Sequence, residues 1–238
     1  MIDKKNFFIQ PDWPAPQQVK AYTCLRESGV CPSRDEVDKT RLKKLLALNN
    51  DPIFLRQTHS TIAVEAKKAN HYCEGDGLYS FESNQICAIL TADCLPLLVT
   101  DRNGQRVAAI HAGWRGLASG VIESTIAALD ITPTDCLVWL GPAIGPNKFE
   151  VREDVLNAFT SRHPESAHAF IQIGKNHWLA NLYSLARLRL QKLGIQQVYG
   201  GEYCTYSDPI SFYSYRRDGQ ETGRLVSLIW IEDSLDKM

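Results

Sequence analysis

The hydrophobic positions alternate between short apolar runs and longer amphipathic stretches. Residues 85–91 (QICAILT) form a continuous apolar run that is short and bounded, which predicts a buried strand rather than a helix. Two further strands are predicted over 95–100 and 106–110, separated by a turn at 101–104 (DRNG). Residues 52–56, 136–140, 198–203 and 225–231 read as strands, and 61–66 as extended chain. Apolar residues at helical spacing predict a helix over 33–48, where Val37, Leu42, Leu45 and Leu46 lie among charges and Ser33 supplies the cap. A second helix is predicted over 117–129, with Val121, Ile122, Ile126 and Leu129 on one side, and others over 152–159 and 181–193. Residues 12–17 (DWPAPQ) read as an irregular arm and 74–77 (EGDG) as a turn. Strand pairs mix with strand–helix units, so the expected fold is α/β with a mixed sheet rather than a pure alternating series. No repeat or linker divides the chain, and a single domain over 1–238 is expected.

Composition narrows the function classes. A chain of 238 residues, 44% hydrophobic, can bury a sizeable core without disulfides. The formal net charge of -1 and the lack of a basic stripe give no reason to expect a nucleic-acid partner. No apolar run approaches the roughly 18 residues of a membrane span. Residues 1–10 mix charge with Phe7 and Phe8 and lack the apolar core of a signal peptide. The seven cysteines are scattered, with no CxxC pair, which suits reduced thiols in a cytoplasmic protein.

Candidate chemistry concentrates in residues 86–116. One predicted strand ends at Asp93 and Cys94, another at His111, and strand ends are where rigid scaffolds hold functional side chains. After His111 comes the glycine-flanked GWRG and then a helix; free amides there, with the Arg115 guanidinium, would suit an anion. Each residue also has an ordinary reading: Cys94 as a packed thiol, His59 and His111 as satisfied histidines, Arg115 as a surface ion-pair partner and Asp93 as a turn residue. The spacings among His59, Cys94 and His111 match no local zinc-finger pattern, so spacing alone establishes no metal site.

A set of ordered blocks adds a resemblance. QTHS (57–60), DGLYS (76–80), TADCLPLLVTD (91–101), AAIHAGWRGLASG (108–120), LGPAIGP (140–146), NLYSLARLRL (181–190), CTYSDPISFYSYRRDG (204–219) and TGRLVSLIWI (222–231) resemble the bacterial polyphenol-oxidase or laccase-domain family. That family is also described as multifunctional purine nucleoside phosphorylases and as peptidoglycan editing factors. The resemblance implies an α/β fold with a mixed-sheet, sandwich-like core and flanking helices, related to cysteine-hydrolase-like proteins. It implies a metal site on His59, Cys94 and His111. Two nitrogens and a thiolate suit zinc with a fourth position left open, and copper could occupy the same ligands. The family's N-terminal block is reduced here to residues 23–30, and Asn147 and Lys148 stand where it usually carries a cysteine pair.

The implied activity is phosphorolysis of adenosine, inosine and methylthioadenosine to base and sugar 1-phosphate, together with adenosine deamination. Its partners are then small molecules, purine nucleosides and phosphate. Arg115 and Arg56 are the expected phosphate-binding residues, and Asp93 is the nearest carboxyl in sequence for acid–base work. Three alternatives remain. Cys94 and His111 could be the nucleophile and base of a cysteine hydrolase that edits a cell-wall precursor. The chain could be a copper-dependent phenol oxidase, although it has six histidines and no HxH pair. It could also be a binding protein that has kept the fold without the chemistry.

Overall fold

A computed structural model describes residues 7–34 and 36–233. Residues 1–6 of the segment read above for a leader, and residue 35 within the helix predicted over 33–48, lie outside the described residues.

Two mixed sheets stack face to face. The first has the strand order Phe8–Ile9, Val19–Cys24, Leu225–Ile231, Cys87–Thr91, Ile53–Phe54, antiparallel except for the last pair. The second runs Gln197–Gly200, Cys136–Leu140, Leu95–Asp101, Val107–Ala112, Gly77–Ser80, Ala63–Glu65, antiparallel in the middle and parallel at both edges. The three-stranded sheet of Glu150–Val151, His177–Ala180 and Phe170–Gly174 is separate.

The period-2 geometry of strands explains why the central runs are apolar throughout. In Leu95–Asp101, Leu97 and Val99 face the helices Trp114–Ser119, Val121–Leu129 and Leu182–Lys192, while Leu98 faces the first sheet with Ala109, Ile89 and Ile229. In Leu225–Ile231, Val226, Leu228 and Trp230 turn outward onto Leu42 of the helix Lys39–Leu46, and Leu225 and Ile229 turn inward. The layers are thus helix, sheet, sheet, helices. Strands buried on both faces need no polar alternation. The mixed-sheet, sandwich-like core with flanking helices is as expected. No helix among the described residues is long and apolar enough to cross a membrane.

Several local expectations are corrected. The helix predicted from Ser33 begins at Lys39, because the Asp38 carboxylate accepts the Arg41 N–H at 2.8 Å and so provides the cap. Ser33 instead pairs with Glu36 in an isolated bridge. The helix predicted over 117–129 is two helices, Trp114–Ser119 and Val121–Leu129, broken at Gly120, whose φ of 105° is open to glycine at little cost. Arg115 therefore lies inside a helix rather than ahead of one. Residues 74–77 are not a surface turn: Gly77 starts the strand Gly77–Ser80, and Asp76 before it is fully buried. The hairpin Phe170–Gly174/His177–Ala180 was not foreseen: Phe170, Ile171 and Ile173 offer a short apolar run, but the first strand is largely exposed rather than buried.

Candidate metal centre

The topology gathers the site before any side chain is considered. The chain leaves the first sheet at Thr91 and enters the second at Leu95, so Ala92, Asp93 and Cys94 form a three-residue crossing between sheets. It makes a second crossing between Ile53–Phe54 and Ala63–Glu65, and His59 sits on it. Between these crossings lies the end of Val107–Ala112. There Ala108, Ile110 and Ala112 pack toward the helices, so His111 points the other way, with Ala109, into the layer between the sheets. Both crossings use uncommon backbone: His59 has φ of 62° and Asp93 φ of 88°. Left-handed conformations at non-glycine residues cluster where surrounding structure enforces a functional geometry.

His59, Cys94 and His111 converge as expected. One ligand atom from each lies within 4.8 Å of the others. His59 Nε2 is 3.7 Å from Cys94 Sγ, and the two imidazole rings meet edge-on with centroids 4.8 Å apart. Tetrahedral bonds of about 2.0–2.3 Å require ligand atoms roughly 3.3–3.8 Å apart, so the donor set fits a small tetrahedral cation after minor adjustment. Gly113 makes room for this approach. A Cβ there would overlap His59 Cδ2, lie 2.7 Å from His59 Nε2 and 3.1 Å from Cys94 Sγ.

A residue not foreseen as part of the site, Asp76, organises the candidate ligands. Its carboxylate accepts the backbone N–H of Thr58, His59 and Ser60 at 3.2, 3.1 and 2.6 Å, and the Ser60 hydroxyl at 2.7 Å. His111 Nδ1 lies 2.7 Å from its Oδ1. One buried carboxylate thus sets the His59 loop and fixes the His111 tautomer, leaving Nε2 for the centre. Burial alone would raise the Asp76 pKa, but the His111 and Ser60 hydrogen bonds bring it down to about 2. Burial likewise opposes ionisation of both Cys94 and His111. The mutual attraction of thiolate and imidazolium outweighs it, with His59 also bonding Cys94 and Asp76 supporting His111. The thiol is pulled below its usual range and the imidazole pushed above. A deprotonated Cys94 is the form that binds metal.

Asp93 has different partners. Its carboxylate accepts from the Thr205 hydroxyl at 2.6 Å, the Ser214 hydroxyl at 3.0 Å and the Arg216 N–H at 2.7 Å. It fastens the segment 205–216 to the residue before Cys94. Arg115 is exposed and stacks on Trp114, its guanidinium carbon 4.4 Å from the ring centroid. Arg56 is exposed and paired with Glu74 at 2.8 Å. Of the residues named from sequence, the structure brings three into one ligand set, places Asp93 beside them with its oxygens engaged, and leaves both arginines at the surface. Asp76 and Gly113 were overlooked as site residues, although both lie in the resembling blocks, Asp76 opening DGLYS (76–80) and Gly113 within AAIHAGWRGLASG (108–120).

Residues 31–232 match the family described as multi-copper polyphenol oxidoreductase laccase. A Pseudomonas aeruginosa protein named purine nucleoside phosphorylase is 42% identical, over 96% of this chain and 100% of its own. One of the same name from Haemophilus influenzae is 41% identical, over 94% and 99%. A Neisseria meningitidis protein of known crystal structure superposes with a TM-score of 0.89 at 41% identity, covering 96% of this chain and all of that one. The chain belongs to the laccase-like polyphenol oxidoreductase family.

Proposed function

We propose that this protein is a zinc-dependent purine nucleoside phosphorylase that also deaminates adenosine. The convergence of His59, Cys94 and His111 beside an ordered, Asp76-anchored loop carries the reading, and the names of relatives near 40% identity support the substrate class. A zinc ion on these three ligands would supply a Lewis acid with one open position. Asp76 holds the proton on His111 Nδ1 and orients both histidines. Asp93 fits a positioning role better than the acid–base role expected of it, since Thr205, Ser214 and Arg216 already donate to its carboxylate. Arg115, two residues beyond Gly113 and free of a carboxylate partner among the hydrogen bonds and ion pairs described, is the group proposed to hold phosphate. Arg56 is the weaker candidate because Glu74 neutralises it. We place the protein in the cytoplasm, in keeping with cysteines that form no disulfide among the described residues.

One observation favours a second reading. Cys94, His111 and Asp76 lie in series, with His111 Nδ1 2.7 Å from the Asp76 carboxylate, the thiol drawn below and the imidazole above their usual ranges, an arrangement a cysteine hydrolase would use. The same residues cannot be metal ligands and a free nucleophile–base pair together. A multicopper oxidase is disfavoured by the ligand inventory, since His59, Cys94 and His111 form the sole cluster of metal-competent side chains among the described residues. The test is one preparation, split. Zinc content and turnover of adenosine, inosine and methylthioadenosine, with and without phosphate, are measured before and after strong chelation. Loss with the metal and recovery on adding zinc back supports the proposal. Full activity without metal defeats it and promotes the hydrolase.

A further inference from the structure

A cavity of about 580 Å3 opens at the other end of the strands that lead to the candidate metal centre. Ile53 and Cys87 are paired at the start of two parallel strands, whose far ends run on to His59 and Cys94. The cavity lies beside that start and is lined by Lys39, Lys43, Lys68, His71, Gln85 and Asp51, among others. Lys39 and Lys43 stand one turn apart on the helix Lys39–Leu46 and so share a face. Three ammonium groups thus meet one carboxylate, and Asp51 is already paired with Lys43 at 2.7 Å.

His71 gives the cavity a specific hydrogen-bonding pattern. Its Nδ1 accepts the backbone N–H of Phe54 at 3.1 Å. An imidazole that accepts at Nδ1 is neutral and carries its proton on Nε2. Burial and the neighbouring Lys39 charge both hold the His71 pKa below its usual value, with Asp51 opposing, which agrees with the neutral ring. Yet Nε2 faces Lys39 Nζ at 3.1 Å. An ammonium has donors only, so two donors point at each other across hydrogen-bond distance. An oxyanion resolves the conflict by accepting from both. We propose that this cavity is a phosphate-binding site, distinct from the metal centre, with Lys39 and His71 Nε2 as shared donors and Lys43 and Lys68 as flanking charges. The chemistry recognised is a phosphoryl dianion, carried either by inorganic phosphate or by a sugar phosphomonoester.

The experiment is calorimetric titration of the full-length protein with inorganic phosphate and, separately, with ribose 5-phosphate. The proteins compared are the wild type, the double variant Lys39→Gln/Lys43→Gln, and Arg115→Ala. Arg115→Ala removes the cation proposed for the catalytic phosphate, so binding that survives it belongs elsewhere. Binding that persists in Arg115→Ala and weakens roughly tenfold or more in the lysine double variant supports the site. Tighter binding of the sugar phosphate identifies a phosphomonoester as its occupant, and equal binding identifies free phosphate. No binding of either probe, binding abolished by Arg115→Ala, or binding unchanged in the double variant overturns it. Lys68→Gln, at an exposed position, gives the same readout with a smaller loss if the double variant fails to fold. Failure of the nucleoside assays while lysine-dependent binding persists would sink the catalytic proposal alone.

Discussion

Two buried aspartates flank the candidate metal centre, and they do opposite jobs. Asp76 is a fully buried acceptor for the chain that carries His59 and for the ring of His111. Asp93, adjacent in sequence to Cys94, bonds no ligand and instead receives donors from Thr205, Ser214 and Arg216. The residue nearest a ligand along the chain is the one turned away from the centre, because a three-residue crossing with left-handed backbone at Asp93 sends successive side chains to different sides. The carboxylate that orients the candidate ligands comes from a strand start in the sheet that also holds Leu95–Asp101 and Val107–Ala112, brought there by pairing of Gly77 with Ile110. Metal-site logic rests on who holds the imidazole's far nitrogen rather than on proximity in sequence.

The largest effects are expected from breaking the Asp76 side of this comparison. Asp76→Ala leaves several donors and the His111 imidazole without their buried acceptor, which should cost about 3–5 kcal/mol of stability. Zinc affinity should fall by roughly 10–100-fold. Denaturant unfolding and competitive chelator titration measure the two. Asp93→Asn should also destabilise, by about 1–3 kcal/mol, but leave zinc affinity within a few-fold and act on KM more than on metal content. Equal zinc loss in both variants would erase the distinction.

Gly113→Ala sharpens the comparison from the packing side. The added methyl occupies the space of the His59 ring, so His59 has to move while Asp76 and Asp93 keep their partners. Zinc affinity should drop roughly tenfold or more, with a smaller change in the unfolding midpoint than Asp76→Ala gives. A smaller perturbation is Thr205→Val, which removes one hydroxyl donor from Asp93. It should cost about 1–2 kcal/mol and leave zinc content unchanged. Loss of zinc in Thr205→Val would show that the 205–216 segment bears on the ligands after all.

These outcomes bear on what the sequence made legible. The convergence of His59, Cys94 and His111 was legible because their blocks are ordered and specific, and the buried strands announced themselves as apolar runs such as Cys87–Thr91 and Leu225–Ile231. Asp76 was read as a turn because Glu74, Gly75 and Gly77 around it have turn composition; nothing local says that its carboxylate will be satisfied by residues 58–60 and 111. The helix start at Trp114 was missed because Gly113 and Gly116 read as flanks of a loop, whereas tertiary contact requires small residues there; Gly120, read as lying inside the helix, is the residue that breaks it. The strand Phe170–Gly174 was passed over although Ile171 and Ile173 alternate with Gln172; both are exposed, and the pairing comes from backbone bonds to His177–Ala180 and not from a buried face.

The smallest expected structural effect, and the most informative functional one, is at Arg115. Its side chain is exposed and its described interaction is stacking on Trp114, so Arg115→Ala should change stability by no more than about 0.5 kcal/mol. The aspartate comparison gives Arg115 no part in holding either ligand loop, and zinc content should be that of the wild type. Phosphorolysis and deamination then separate by chemistry. The first brings a phosphate oxygen to the sugar carbon and depends on a cation to hold that phosphate. The second uses water and has no anion to bind. Removing the guanidinium should therefore raise the KM for phosphate and lower phosphorolysis roughly tenfold or more, while adenosine deamination stays within about twofold. Parallel assays of adenosine turnover, with and without phosphate, on one zinc-quantified preparation measure both rates. An equal fall in the two activities would mean that Arg115 works through Trp114 and the shape of the helix start, and that phosphate is held by some other group.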